Sequence, residues 1–222
     1  MFTIKLVILT KSSKNGKNCV AGINLNTYDW IRLVSSNDEC DGAISDNEMK
    51  DDRGQIATVF DIVEVMIERK APIGCQTENY VVSAGYIWKH LGKMNLNQVL
   101  EVCNLNRSAY IFGNTYGYIT EECMNEYNHS LLMAEVYDLK VFKNEFNKEK
   151  CNFSYKGRIC RDLSVTDPEY YCYGECKMSR AYIIVSLPHK DYRGKYYKFV
   201  AKIFPQSPIT VNDLSLLWTL GK

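Results

Sequence analysis

Two short segments of the sequence, 129 residues apart, share one pattern of polar side chains. Residues 30–38 and 159–167 both follow the order apolar-x-Arg-x-apolar-Ser-x-x-Asp. Because successive side chains of a strand point to opposite faces, each copy is predicted to place its arginine, Arg32 or Arg161, among apolar neighbours. A guanidinium in such a place requires an anionic partner, either a carboxylate or a ligand phosphate. We interpret the repeat as two copies of one small β-domain.

The partner of each arginine decides whether the repeat is structural or functional. Arginine can bind a phosphate through two parallel hydrogen bonds, so Arg32 and Arg161 are candidates for binding a nucleotide or a nucleic-acid end. The alternative is an internal ion pair in each copy, Arg32 with Asp38 and Arg161 with Asp167. We favour the ion pairs, because repetition in both halves is more typical of a shared scaffold than of two active sites.

A basic and aromatic cluster lies between two apolar runs that we predict to form a hairpin. Proteins that bind single-stranded nucleic acid combine cations along the backbone path with aromatic rings on which bases stack. The same composition also protects the outer face of an ordinary hairpin, and both interpretations stay open. The candidate binding residues are Lys190, Tyr192, Arg193, Lys195, Tyr196 and Lys198, interleaved with Tyr197 and Lys202.

Two further candidate lysines belong to a polar loop near the N-terminus. Lys11 and Lys14 flank a Ser-Ser pair, and an Asn-Gly turn signal follows at 15–16. The two ammonium groups can approach an anion together. A solvated loop has the same composition and is the alternative.

Metal binding and catalysis have weaker support. Four thiolates can form a tetrahedral zinc site, but only Cys172 and Cys176 are closely spaced, so we expect no metal or other cofactor. None of the three histidines neighbours a serine or cysteine in a nucleophile motif, and no glycine-rich phosphate loop is present. An unrecognised nucleic-acid-processing enzyme stays a further alternative. The cysteines considered for zinc are Cys151, Cys160, Cys172 and Cys176.

The composition indicates a folded protein that does not enter a membrane. Of the 222 residues, 46% are hydrophobic and the net charge is +1, so any site for a polyanion must be a local patch. The apolar run at 6–9 is too short for a signal peptide or a membrane span. With nine cysteines and no export signal, we expect a cytoplasmic protein with mostly free thiols.

Strand and turn signals divide the chain into four segments. Residues 1–75 contain a three-strand meander, a long polar excursion and a returning strand, which fits a small Greek-key barrel such as the OB-fold. Residues 130–205 repeat this order and end with the predicted hairpin. Residues 76–129 are predicted to form a helical or irregular connector, and 206–222 a tail helix. The predicted fold is therefore mainly β (α+β), with two OB-like small β-barrels joined by a partly helical connecting segment.

Two local features sharpen this assignment. Gly22 lies inside a predicted strand, where glycine often marks a bend or a bulge. Asn95 is a suitable N-cap for a helix, because apolar side chains follow it at helical spacing through Cys103.

The chain resembles the bacterial dual OB domain family over nearly its whole length. The resemblance implies two OB-like barrels and a role as a ligand-binding accessory in bacterial conflict or defence systems, with no catalytic residues to carry over. The matching segments are 9–14, 19–23, 30–35, 61–65 and 162–167.

The patterns together predict a non-catalytic binding module for nucleic acid or a nucleotide. Single-stranded nucleic acid or a nucleotide is the expected partner, because tyrosine is abundant and suits surfaces on which bases stack. The alternative from a different functional class is a protein-interaction adaptor. It would hold an effector or toxin partner through the barrel surfaces and the apolar tail at 214–218.

Overall fold

Strands make up most of the secondary structure in both halves of the chain. The computed structural model describes residues 1–14, 16–36, 42–171 and 175–211. The chain divides into a first unit, Met1–Leu105 with Asn125–Leu131, and a second unit, Asn106–Met124 with the described residues from Leu132 onward. Within the described ranges, no helix has the length and apolar character needed to cross a membrane.

The first unit is a closed five-stranded barrel with a sixth strand at its edge. Its strands are β1 (Phe2–Lys14), β2 (Lys17–Asn24), β3 (Trp30–Val34), β4 (Asp61–Lys70), β5 (Asn79–Val82) and β6 (Lys89–Lys93). The sheet order is β1-β2-β3-β5-β4-β6, and β1 also pairs antiparallel with β4, which closes the barrel. The pairing of β3 with β5 is parallel.

Alternating burial along β4 shows how the sequence builds this barrel. Asp61, Val63, Val65 and Ile67 are buried, while the residues between them are half-buried. This period of two is expected for a strand that packs one face on a core. Other elements complete the core with Ile4, Leu6, Ile8, Val20, Ile31, Leu33, Ile44, Met49, Ala57, Val82 and Trp88.

The prediction of a bulge near Gly22 is confirmed. The register of β1 against β2 shifts so that Ile8 pairs with Gly22 and Thr10 pairs with Ala21. A Cβ atom on Gly22 would lie 1.8 Å from the carbonyl oxygen of Val7, so no other residue fits this backbone contact. The bulge allows β1 to bend around the barrel.

The second unit contains another five-stranded barrel. Its strands are β7 (Tyr118–Ile119), β8 (Leu131–Lys143), β9 (Glu149–Tyr155), β10 (Arg158–Val165), β11 (Cys176–Ser186), β12 (Tyr196–Tyr197), β13 (Phe199–Pro205) and β14 (Thr210–Val211). The sheet order is β13-β10-β9-β8-β11-β14, and β11 also pairs with β13, which closes the barrel. β7 and β12 form a separate two-stranded sheet.

Both barrels have the strand order of an OB-fold. In each, the third strand of an antiparallel meander lies parallel to the last barrel strand, as β3 does to β5 and β10 to β13. The fourth barrel strand, β4 or β11, lies between the last strand and the first. The predicted fold class, mainly β with two OB-like barrels, is confirmed.

The segment 76–129 differs from the predicted connector. β5 and β6 belong to the sheet of the first barrel, and Asn106–Met124 belongs to the second unit. β6 has the sequence Lys-His-Leu-Gly-Lys and exposes alternate residues at the sheet edge, so it lacks the apolar pattern that would predict a strand. The helix expected after Asn95 is present as α1 (Leu96–Val102), and a four-residue helix, α2 (Glu121–Met124), follows β7.

The predicted tail helix over 206–222 is replaced at its start by a short strand. Thr210 and Val211 form β14 and pair with Lys177 and Cys176 of β11. The apolar part of the predicted helix, 214–218, lies outside the described residues.

We expect substitution of Gly22 by alanine to destabilise the first barrel by about 3 kcal/mol or more, because the added methyl group must displace backbone. Gly54→Ala is a matched control, since its Cβ would meet nothing within 4 Å and only its positive φ of 75° opposes a side chain. That control should lose about 1 kcal/mol. Urea denaturation checks both values, and equal losses in the two variants would contradict the steric argument.

Candidate functional site

Arg32 lies inside the first barrel and contacts a carboxylate other than the predicted one. Its Nη2 donates a hydrogen bond of 2.7 Å to Ser130 Oγ and lies 3.5 Å from Glu78 Oε1. The Ser130 hydroxyl in turn donates to the same Glu78 oxygen. Asp38 lies outside the described residues. Arg32 is thus a buried structural cation whose observed partner is Glu78.

The second copy of the arginine motif has a different setting. Arg161 is exposed, and it lies where the register of β10 against β9 shifts between Cys160 and Leu163. The predicted ion pair of Arg161 with Asp167 is wrong, because Asp167 is buried and pairs with Lys202 at 3.3 Å. Burial raises the pKa of Asp167, and Lys202 opposes that effect. The bulge explains why equal spacing in sequence does not give the two arginines equal environments.

The N-terminal lysines do not form an open anion site within the described residues. Lys11 Nζ lies 3.1 Å from Asp46 Oδ1. A hydrogen bond from Asn18 and the contact with Lys11 lower the pKa of Asp46, so this carboxylate is ionised at neutral pH and offsets the lysine charge. Lys14 ends β1, and its side chain lies outside the described part of the structure.

Four tyrosines of the second unit form an array that we name the tyrosine platform: Tyr116, Tyr118, Tyr197 and Tyr192. Neighbouring ring centroids in this order are 6.2, 6.0 and 6.5 Å apart. Tyr116 and Tyr192 are 65% and 61% exposed, and the two inner rings are half-buried. The pairing of β7 with β12 places Tyr118 opposite Tyr197. Residues far apart in sequence therefore share one exposed aromatic surface.

Cations border this platform. Lys195 Nζ lies 4.2 Å from the centroid of the Tyr118 ring, and the Arg193 guanidinium lies 5.3 Å from that of Tyr192. Lys190 is exposed in the same loop, and Arg161 is held close by a backbone hydrogen bond to the Thr115 carbonyl at 3.3 Å. Cations over ring faces are attracted by the ring quadrupole, which fixes their position beside the aromatic surface.

A tight turn holds the loop that carries these residues. Tyr192 and Lys195 exchange backbone hydrogen bonds of 2.8 and 3.2 Å. The Gly194 amide donates to Asp191 Oδ2 at 2.7 Å, and both Arg193 and Gly194 have positive φ. The loop joins β11 to β12, and β13 follows directly, so the loop lies between the fourth and fifth strands of the barrel.

Lys198, predicted as a ligand contact, is instead buried beneath the platform, with 1% of its surface exposed. Its Nζ donates 2.8 Å hydrogen bonds to the backbone carbonyl and to Oδ1 of Asn114. The same Asn114 side chain accepts from the Tyr116 amide at 2.9 Å and donates to the Tyr118 carbonyl at 3.1 Å. The Lys198 amide donates to the Gly117 carbonyl at 2.8 Å. Lys198 and Asn114 together fix the segment that carries Tyr116 and Tyr118.

Burial without an acidic partner changes the ionisation of Lys198. Desolvation lowers the pKa of Lys198 to about 8, and the nearby Cys160 and Cys123 thiols partly oppose this effect. No carboxylate among the described residues forms an ion pair with its Nζ. The neutral oxygens of Asn114 are the acceptors seen for this ammonium group.

The thiols considered for zinc do not form a metal site within the described residues. Cys151, Cys160 and Cys176 are buried and free, whereas Cys172 lies outside the described ranges. Burial raises the pKa of Cys176 to about 11, which disfavours the thiolate form that binds metal. No cluster of three or more His, Cys, Asp or Glu side chains suited to a metal ion occurs in the described parts.

The structure thus brings together only part of the predicted set. Tyr192, Arg193 and Lys195 border or belong to the platform, with Lys190 and Arg161 nearby. Tyr196 alternates with Tyr197 along β12 and so faces the other side of that strand. Tyr116, Tyr118 and Tyr197 were not among the predicted binding residues, although Tyr197 lies within the basic and aromatic cluster. The one available signal was the density of tyrosine in 110–118.

The ionisation of Lys198 gives a pH-dependent prediction. Below pH 8 the amine is charged in both states, and between pH 8 and about 10.5 the folded state loses its proton first. We therefore expect the unfolding free energy of the wild type to rise relative to Lys198→Met across this window, by roughly 3 kcal/mol in total. Urea titrations at pH 7 to 10 check the difference.

Lys148→Met, a change at an exposed loop lysine, is the control for this series. The unfolding free energies are compared as differences between variants at each pH. Tyrosines and cysteines that ionise in this range contribute equally to each variant, so their contribution cancels. A difference between wild type and Lys198→Met that stays constant from pH 7 to 10 would contradict the assigned burial of a cation.

The sequence model of the dual OB-containing domain matches residues 4–203. No curated protein matches the chain in sequence.

Two solved structures are similar to this chain, and the similarity covers most of each chain. One, the Ifi202 HINa domain in complex with 20-base-pair double-stranded DNA, has 9% identity, covers 96% of this chain and 97% of its own, and has a TM-score of 0.36. The other, described as the molecular basis for abrogation of activation of pro-inflammatory cytokines, has 8% identity, coverages of 91% and 92%, and a TM-score of 0.34. With the family match extending over both barrels, the chain belongs to the dual OB-containing domain family.

Proposed function

We propose that the chain is a binding module for single-stranded nucleic acid, and that the second barrel binds the strand on the tyrosine platform. The observation that carries this proposal is the row of four neighbouring rings, two of them more than 60% exposed, with cations held against ring faces. Stacking of a base on an aromatic side chain contributes about 1–3 kcal/mol and tolerates any base.

The position of the platform on the barrel supports the proposal. OB-folds bind oligonucleotides through the face of their second and third strands and through loops that include the one between strands four and five. Here that loop carries Tyr192, Arg193 and Lys195, and β12 follows it directly. The bulge of β10, the third strand of this barrel, carries Arg161 beside the platform.

Charge near the platform supports an anionic ligand. The chain as a whole has a net charge of +1, so attraction for phosphate must come from a local excess of cations. Four cations lie beside the platform or in the loop that carries part of it, and the Asp191 carboxylate of that loop accepts a hydrogen bond from the Gly194 amide. The cations are Arg161, Lys190, Arg193 and Lys195.

The geometry favours a single strand over a free nucleotide or a duplex. A free nucleotide has one base, which can stack on one ring or between two neighbouring rings. The platform offers four rings in a row, more than one base can cover. In a duplex the faces of the bases are covered by their neighbours, so they cannot reach the rings without unstacking. An unpaired strand exposes its bases and can follow the row.

Truncation of the exposed rings tests the proposal. We expect Tyr116→Ala and Tyr192→Ala each to weaken binding of a labelled 16-nucleotide single strand by about tenfold, the loss of one stacked base. The measurement is fluorescence anisotropy at low salt with DNA and RNA strands, a duplex of the same sequence, and free nucleotides. Tyr137→Ala, at a ring of the same unit that is 46% exposed, is the matched control.

The outcomes separate the classes of function. No binding of any strand at low salt would overturn the proposal and favour a protein-interaction adaptor. Equal losses for Tyr137→Ala and the platform variants would show that the rings do not stack on bases. Tighter binding of the duplex than of the single strand would overturn the preference for unpaired bases.

The cellular context stays a prediction. We infer a reducing, cytoplasmic setting from the free cysteines among the described residues. The role as an accessory in a bacterial conflict or defence system comes from the family resemblance alone.

A further inference from the structure

The segment 106–119, which leads to the platform, lies along β10 in the same direction as that strand. The Tyr155 hydroxyl, at the end of β9, donates to the carbonyls of Asn106 and Ser108 at 2.9 and 3.0 Å. Further along, the Arg161 amide donates to Thr115, and a Cβ on Gly117 would lie 2.6 Å from the Asp162 carbonyl oxygen. The start of this segment therefore lies at the start of β10, and its end lies at the platform.

A second pair of a cation and an aromatic ring lies near the start of this segment, between β10 and the segment. The Arg158 guanidinium lies 4.9 Å from the centroid of the Tyr110 ring, and Tyr110 is 38% exposed. Lys156 donates a 2.5 Å hydrogen bond to the Arg107 carbonyl, which holds the turn of the β9–β10 hairpin against this segment. Arg107, Lys156 and Arg158 are all exposed. We name Arg107, Tyr110, Lys156 and Arg158 the hairpin patch.

The two neighbouring stretches carry charge of one sign. Residues 106–119 and 155–161 contain four arginines or lysines and no aspartate or glutamate, although the whole chain has a net charge of only +1. Their cations are Arg107, Lys156, Arg158 and Arg161. Ion pairs neutralise other cations of this unit, such as Arg180 with Glu135 at 2.5 Å. An excess of unpaired positive charge along one strand is what a phosphate backbone requires.

We propose that the nucleic acid continues from the platform along β10 to the hairpin patch, where phosphates contact Lys156 and Arg158 and a base stacks beside Tyr110. This inference rests on the proposed function of the platform. Arg158 and Arg161 are three residues apart on β10, a separation of roughly 10 Å along a strand. The ring-to-ring path of the platform adds about 19 Å. At about 3.4 Å per stacked nucleotide, the whole path accommodates roughly eight nucleotides.

The length of the bound strand tests the inference. We expect the double variant Lys156→Gln/Arg158→Gln to bind a 16-nucleotide single strand about tenfold more weakly than the wild type. Its affinity should also fall less steeply with salt. The slope of log affinity against log salt should be less negative than that of the wild type by about 1.4, which corresponds to the loss of two phosphate contacts. A labelled tetranucleotide fits on the platform alone, so its affinity should change less than twofold. Anisotropy titrations with strands of 4, 8 and 16 nucleotides provide the measurement.

Lys140→Gln/Lys177→Gln removes a half-buried and an exposed lysine of the same unit, both paired with Glu175, and is the matched control. Its affinity for all three strands should stay close to that of the wild type. The inference would be overturned if the hairpin-patch variant lost the same factor in affinity for the 4- and 16-nucleotide strands. It would also be overturned if the variant lost affinity for neither strand. In both cases the platform proposal is judged separately by Tyr116→Ala, which should weaken the tetranucleotide as well.

Discussion

Each barrel sets its last strand parallel to the third strand of the meander, and a buried charged residue lies directly before that last strand. Antiparallel neighbours can be joined by a short turn, whereas a parallel neighbour must be reached by a longer connection. The residue just before the last strand is Glu78 in the first barrel and Lys198 in the second, and both are buried. Glu78 binds Ser130 and Lys198 binds Asn114. Each buried charge thus fixes a segment added outside its five strands.

The two charges differ in how they are compensated. Glu78 faces the guanidinium of Arg32, so the first barrel contains a buried pair of opposite sign. Among the residues that the structure describes, Lys198 bonds through its ammonium group to the neutral oxygens of Asn114 alone, and its desolvation is therefore less completely offset. The destabilising desolvation of Lys198 thus occurs where Lys198 positions the segment that carries the exposed ring of Tyr116. Local features that weaken stability often lie at sites of function, because the geometry they impose is needed there.

The sequence predicted features that depend on neighbours in the chain. Alternating apolar residues predicted the barrel strands, and Gly22 predicted the bulge, because each rule acts within a few residues. The contacts of Arg32 with Glu78 and Ser130 were not predictable in this way, since both residues are distant in sequence and Ser130 is 98 residues away. The platform also depends on long-range pairing: Tyr118 and Tyr197 meet through strands of two residues, which are too short to give a periodic signal. Lys198 was predicted as a surface contact because its type suggests solvent, whereas the fold buries it.

The order of the platform residues along the chain has a consequence during synthesis. Tyr116 and Tyr118 precede Tyr192 and Tyr197 by more than 70 residues. At roughly 5–20 residues per second, a ribosome makes the first pair several seconds before the second. Lys198, which fixes the first pair, emerges later still. We therefore expect the four-ring platform to form only after Lys198 has been synthesised, long after its first two tyrosines.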